Sequence, residues 1–213
     1  YERYSIDNIR YENYNLKNPN VKEKEYVLDN SDNAVKNEKL AYIQVIYNNN
    51  PILYVTTPKM FCPFGLNKKG FTSFGCDASK FICDLSKDKK IKVMNFIFNF
   101  KNSKKIKREI GSVNYLIANN VVNHSNNPDD FIKGVKYILK DDGYFIFEQP
   151  YWLQMIKTSR IDQIYHEHIT YFTIKFSKWI LEKNGMYLYD YEKTPYHGGS
   201  LRIIAKKKDN LFY

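Results

Sequence analysis

Three neighbouring stretches decide the fold: Tyr115-Leu116-Ile117-Ala118, then Asp129 to Leu139 (Asp-Asp-Phe-Ile-Lys-Gly-Val-Lys-Tyr-Ile-Leu), then Tyr144-Phe145-Ile146-Phe147. The first and third are short, continuous apolar runs of the kind that form fully buried strands. The middle stretch repeats apolar residues at helical spacing (Phe131, Val135, Ile138, Leu139) and stops at Asp141-Asp142-Gly143. Strand, helix and strand in that order make one crossover unit, and such crossovers are right-handed.

The same alternation continues outward. On the N-terminal side, Ile91 to Asn95, Phe71 to Cys76 and Ile52-Leu53-Tyr54-Val55 read as strands. On the C-terminal side, Ile174 to Lys183 reads as a helix stopped by Asn184-Gly185, followed by strands at Tyr187 to Tyr191 and Leu201 to Ala205. A further helix fits Asn33 to Tyr47, with Ala34, Leu40, Ile43, Val45 and Ile46 roughly on one side. Residues 1–33 are rich in Tyr and Asn without a period and read as an irregular lead-in. Residues 34–208 form the α/β domain and 209–213 a tail. No internal repeat occurs. The alternation predicts an open, mostly parallel sheet with helices on both faces, and ligands beyond the carboxyl ends of its strands.

Composition narrows the class. The chain has 213 residues, 43% of them hydrophobic, which is enough for a real core and excludes wholesale disorder. No run approaches the ~20 apolar residues of a membrane span. The start, Tyr1-Glu2-Arg3-Tyr4, has no apolar signal region and no initiator Met, so a fragment or excised region is expected. Net charge is +10, but only five of the 33 basic residues are Arg (3, 10, 108, 160, 202). Arg forks are the favoured readers of phosphates and bases, so the lysine surplus reads first as solvated surface. Cys62, Cys76 and Cys83 are odd in number and contain no Cys-x-x-Cys, which argues against a disulfide framework and a zinc site. A reducing, cytoplasmic compartment follows.

The residues at the strand ends carry the chemistry. Asp77 closes the second strand, where an acid either accepts from ribose hydroxyls or caps the helix that Ala78-Ser79-Lys80-Phe81 would start. Asn119-Asn120-Val121-Val122-Asn123-His124 follows the fourth strand and Glu148-Gln149-Pro150-Tyr151 the fifth. The densest group is Asp162-Gln163-Ile164-Tyr165-His166-Glu167-His168. A His-x-His pair points apart on a strand or a helix, and no third ligand has a suitable spacing, so no metal is expected. Imidazole beside a carboxylate and a phenol suits proton transfer near neutral pH. In Tyr196-His197-Gly198-Gly199-Ser200-Leu201-Arg202, paired glycines let backbone N–H groups approach an anion and Arg can fork onto a phosphate, or the glycines merely make a turn. All four histidines fall in these patches.

In order, Asn-Val-x-x-His, Glu-x-Pro-Tyr, Asp-x-Ile-Tyr-His-Glu-His-x-x-Tyr-Phe and His-Gly-Gly-Ser-Leu-Arg resemble the sugar C-methyltransferases. These S-adenosylmethionine-dependent enzymes have a Rossmann-like class I methyltransferase fold and methylate a carbon of a nucleotide-linked deoxy keto-sugar. The resemblance runs from about residue 34 to 206. It implies His168 as the base, Glu167 orienting or assisting it, Tyr165 polarising the sugar carbonyl or enolate, and His124 facing the same cleft. Asp77 and Asn120 fall on the cofactor side. Tyr151, His166, His197, Gly198, Gly199 and Arg202 fall on the substrate side; the charge of the His197 to Arg202 stretch, not the motif, is what suggests contact with a nucleotide diphosphate there. Surface-glycan or deoxysugar biosynthesis is the implied setting.

The chain departs from the family at three places. The glycine loop after the first strand is replaced by Tyr54-Val55-Thr56-Thr57-Pro58-Lys59-Met60. The cysteine-rich zinc domain in front and the second α/β domain behind have no counterpart, and other domains or chains would have to supply them. Two alternatives therefore stand beside a working methyltransferase. One is a homologue that keeps the sugar-facing residues without the cofactor. The other is a basic nucleic-acid-binding module using Lys87–Lys92 and Lys101–Arg108.

Overall fold

A computed structural model describes residues 51–55, 72–87 and 92–208. The lead-in, the helix expected at Asn33 to Tyr47, residues 56–60 of the glycine-loop position and the tail lie outside the described residues.

The elements follow in this order: β1 (Ile52–Val55), β2 (Ser73–Asp77), α1 (Lys80–Lys87), β3 (Val93–Asn95), α2 (Phe100–Ile110), β4 (Val113–Asn119), α3 (Pro128–Ile138), β5 (Leu139–Pro150), α4 (Trp152–Lys157), α5 (Ile174–Lys183), β6 (Met186–Thr194) and β7 (Ser200–Lys207). They build one seven-stranded sheet in the order β3-β2-β1-β4-β5-β7-β6. The pairs among β1 to β5 are parallel, and β7 runs antiparallel to both β5 and β6. The expected mostly parallel α/β sheet is therefore present. Chain order reverses at β1, flanked by β2 and β4, and that is the switch point at which such sheets open a ligand crevice.

Helix boundaries follow capping chemistry. Asn99 Oδ1 accepts from Asn102 N–H (2.8 Å) at the start of α2, and the Gly111 N–H bonds Lys107 O beyond its end. Asn127 Oδ1 caps α3, which has Pro128 in its first turn and Asp129 and Asp130 against the positive end of its dipole. Thr173 Oγ1 caps α5 through Phe176 N–H (3.1 Å). Helix α2 has few apolar residues, so periodicity alone misses it; Asn99 and Gly111 are its sequence signals. Its lysines lie along aromatic rings, Lys104 4.3 Å from the Phe100 centroid and Lys107 4.6 Å from that of Tyr137. One of the two basic runs is thus partly engaged with its own surface aromatics.

The core on one side of the sheet is aromatic. Phe145 and Phe147 stack at 4.6 Å, Phe147 meets Phe172 edge-on at 6.1 Å, and Phe131 of α3 packs on Phe98 at 4.8 Å. Each fully buried ring of this kind contributes roughly 1.5–3 kcal/mol. Helices α2 and α3 pack closely because Gly134 has no side chain: a Cβ there would sit 3.0 Å from the Asn99 carbonyl carbon.

Strand β5 is longer than its apolar run. It continues through Glu148, Gln149 and Pro150 because β7 supplies antiparallel partners as far as Pro150↔Ser200. Glu148 therefore lies within the sheet and not beyond it. Among the described residues no helix is long and apolar enough to cross a membrane.

Candidate active site

The Tyr-His-Glu-His segment is neither strand nor helix. It follows a 3₁₀ turn at Ile161–Gln163 and closes as a tight turn, with His168 N–H bonded to Tyr165 O at 3.0 Å. That turn brings the two ends of the motif together. Tyr165 Oη lies 2.7 Å from His168 Nε2, and His168 Nδ1 lies 2.9 Å from Gln163 O. A carbonyl only accepts, so Nδ1 carries the proton and Nε2 presents its lone pair to the Tyr165 hydroxyl, which donates. His168 is 7% exposed, whereas Tyr165, His166 and Glu167 face outward. Burial pushes the His168 pKa down, while the Gln163 carbonyl and the Glu167 charge pull it back up.

His124 joins this pair from a 3₁₀ turn after β4 (Val122–His124), its ring centroid 5.1 Å from that of His168. The two segments are tied by main chain: Ile169 N–H (2.9 Å) and Thr170 N–H (3.1 Å) both donate to Asn123 O. Burial, then the neighbouring His168, lower the His124 pKa. Two facing imidazoles with depressed pKa values are neutral at neutral pH, the state a base requires.

Around them lies an excess of unused hydrogen-bonding capacity. Both amide atoms of Asn120, Asn123 and Gln149, and Nε2 of His124, are buried with no partner among the described residues. All four residues follow or end β4 and β5, on the carboxyl edge of the sheet. Asn120 is also held at φ +50, with its N–H on Glu148 O (2.7 Å). Buried amides are nearly always paired, so a cluster of orphans on the edge where this fold binds ligands marks polar groups awaiting a ligand.

The other expected residues separate. Asp77 ends β2 and is buried, and its Oδ1 accepts from Ser79 N–H (2.7 Å) in the turn that precedes α1. Tyr151, 7% exposed, bridges to Phe172, and its N–H bonds Gly199 O (3.0 Å). It lines an open cleft of ≈ 670 Å³ with Gln154, Lys193, Gly198, Gly199 and Ser200 among its walls. The backbone of His197 lies in a 3₁₀ turn at Tyr196–Gly198. Arg202 corrects the expectation of a phosphate fork. It is 1% exposed, and its guanidinium binds Glu148 Oε2 (2.7 Å from Nη2, 2.8 Å from Nε) and Glu192 Oε2 (2.7 Å from Nη1). β7 places its side chain within a buried ion triad, away from solvent.

Residues 52–190 match the model of a family described as a methyltransferase domain. The chain belongs to that family. Among characterised relatives, this methyltransferase-family chain is 24% identical over 131 residues to the C-methyltransferase NovU of Streptomyces niveus. That alignment covers 62% of the chain but 31% of the relative, so the chain spans under a third of that protein's length. Its fold is similar to magnesium protoporphyrin IX methyltransferase (ChlM) from Synechocystis PCC 6803 with bound SAH, at TM-score 0.60 and 13% identity over 78% of this chain and 79% of that one. It is also similar to the 1,6-didemethyltoxoflavin-N1-methyltransferase of Burkholderia thailandensis, at TM-score 0.56 and 13% identity over 79% of this chain and 74% of that one.

Sequence reasoning passed over Asn123, Gln149, Arg160 and Lys193. Gln149 had a visible signal: an amide directly following the apolar run Tyr144 to Phe147 and a glutamate, in a stretch the fold buries. Asn123 had only its place beside His124. Arg160 and Lys193 had none, because their relevance comes from contacts made across the fold.

Proposed function

We propose that the chain holds the cofactor side and the base of an S-adenosylmethionine-dependent C-methyltransferase acting beside the ketone of a nucleotide-linked deoxysugar. The observation that carries this reading is the Tyr165–His168 pair, with Nε2 as its acceptor, set against His124 at the carboxyl edge of the sheet.

The residues on that edge fit the cofactor. Asn120 and Asn123 offer unpaired amide donors and acceptors to a polar amino-acid and ribose group, and Asp77 closes β2 on the same edge. Bound S-adenosylmethionine supplies an electrophilic methyl group. The protein's own part is proton chemistry. In the free protein the Tyr165 hydroxyl occupies His168 Nε2. When it turns to the ketone oxygen of the acceptor, Nε2 is released to take the proton on the adjacent carbon. The same hydroxyl then donates to the developing enolate oxygen, where a fixed donor is worth most. The imidazolium so formed keeps its Nδ1–H on Gln163 O and faces the Glu167 charge. The Gly198–Gly199 cleft takes the remote end of the acceptor, with Lys193 as the cation that buried Arg202 cannot be.

The test separates proton abstraction from methyl transfer. With S-adenosylhomocysteine and a nucleotide-linked keto-deoxysugar in D₂O, the protein exchanges the α proton for deuterium. His168→Asn slows that exchange by about 10²–10⁴-fold, the usual worth of a positioned base. Exchange that is absent in the wild type, or unaffected in the variant, rules the mechanism out.

A second reading rests on one observation: positions 54–60 contain no glycine where the resembling family has a glycine loop. A homologue that binds the nucleotide sugar without the cofactor would show calorimetric heat with the sugar and none with millimolar S-adenosylmethionine.

A further inference from the structure

The two histidine motifs lie some 30 residues apart, yet they touch through Arg160, which has no part in the site described above. Gly198 has φ +76, and a Cβ there would run into Arg160 Nη1, so the Arg160 guanidinium rests against the glycine. From there it grips Asp162 with two bonds, Nε to Oδ1 (2.8 Å) and Nη2 to Oδ2 (2.9 Å). Asp162 Oδ2 accepts in turn from Gln163 Nε2 (3.1 Å). The Gln163 side chain is thereby anchored, and the main-chain carbonyl of the same residue accepts His168 Nδ1–H. Ser159, at φ +53, turns the chain after α4 so that Arg160 reaches both partners.

We propose that Arg160 and Asp162 are positioning residues that hold the Gln163 carbonyl against His168 and so keep that imidazole in its Nδ1–H tautomer. Gly198 holds a positive φ that favours glycine, and its missing Cβ leaves room for the guanidinium to lie over it. The inference rests on the reading of His168 as the base, since only the Nδ1–H tautomer leaves Nε2 free to accept a proton. A purely structural role explains the pair poorly. Arg160 and Asp162 are 38% and 55% exposed, and exposed ion pairs add little to stability. A bidentate fork in this place supplies direction more than energy. The groups facing His168 are Tyr165, His124, Glu167 and Tyr171. None of them touches Nδ1 among the described contacts, so the carbonyl alone selects the tautomer.

The experiment reads the tautomer itself, by ¹⁵N NMR of the full chain with labelled histidine, the His168 signals being assigned by their loss in His168→Asn. The wild type is expected as Nδ1–H at pH 7.5. In Arg160→Gln and Asp162→Asn the ratio of Nδ1–H to Nε2–H falls about fivefold or more, within the worth of one hydrogen bond. Gly198→Ala, which displaces the guanidinium, shifts it in the same direction. Lys178→Ala breaks a comparably exposed pair with Glu182 on α5 and leaves the ratio unchanged. An Nε2–H wild type, or an unchanged ratio in either the Arg160 or the Asp162 variant, overturns the proposal. The readout needs neither cofactor nor acceptor. A chain that shows the shift but abstracts no proton loses the base reading and keeps the clamp.

Discussion

Glu148 and Gln149 are consecutive on β5, both buried (3% and 0% exposed) and both polar, yet their surroundings are opposite. Strand alternation sends their side chains to opposite faces of the sheet. Glu148 meets Arg202 through two nitrogens and Thr194 through its hydroxyl (3.2 Å), and Arg202 reaches on to Glu192. Gln149, paired in register with Leu201, has no partner for either amide atom among the described residues. A satisfied buried network rigidifies the sheet where it changes from parallel to antiparallel. An unsatisfied one persists at a cost and is expected where a ligand supplies the missing bonds. The two faces of one strand thus separate a satisfied polar cluster from an unsatisfied one.

The largest expected effect falls on the satisfied face. Removing one member of a buried ion network leaves an uncompensated charge and typically costs about 3–5 kcal/mol. Arg202→Met should therefore lower the urea midpoint sharply or prevent folding. Loss of substrate binding with stability intact would instead return Arg202 to the phosphate-reading role that the sequence suggested.

The unsatisfied face should behave with the opposite sign. An unpaired buried amide carries a desolvation cost of about 1–3 kcal/mol, so Gln149→Leu should leave stability unchanged or raise it by about 1–2 kcal/mol. The same change should weaken binding of cofactor or acceptor, measured by calorimetry. A stability loss of about 2 kcal/mol or more would mean that Gln149 is satisfied in the folded protein, and the contrast between the faces would fail.

This contrast also explains what could be read from the sequence. Continuous apolar runs announced β1, β4 and β5, and Asn184-Gly185 announced the end of α5, because burial and capping leave local marks. The Tyr165–His168 pair was legible as a motif because a four-residue turn is local. Arg202 was misjudged because its partners lie 54 and 10 residues away, Glu148 on β5 and Glu192 on β6. Only β7, inserted between those strands, reveals that the arginine faces carboxylates and not solvent. Arg160 was silent for the same reason: its contact with Gly198 exists only in the assembled fold.

The smallest effect concerns pH, and it tests the unsatisfied side through its histidines. Burial holds the pKa of both His124 and His168 below the ordinary imidazole value of 6.5. Above 6.5 both residues are neutral, folded or unfolded, and neither makes stability depend on pH. As pH falls below 6.5 the unfolded chain takes up protons that the folded protein still refuses, so stability declines until the depressed folded values are reached. Each refused proton contributes a slope of at most about 1.4 kcal/mol per pH unit. Asp129 titrates in a separate window. Its bond from Asn184, helped by Lys183 and Lys133, lowers its pKa to about 2, so its contribution holds above 3.8 and is lost only as pH falls toward 2. Urea midpoints at pH 7.5 and pH 5.5 should therefore differ in the wild type and converge in the His124→Asn, His168→Asn double variant. The acidic limb of deuterium exchange should likewise lie below 6.5. A limb above that value would mean that a ligand or Glu167 outweighs burial at the base, and the two buried polar faces would then differ in charge as well as in pairing.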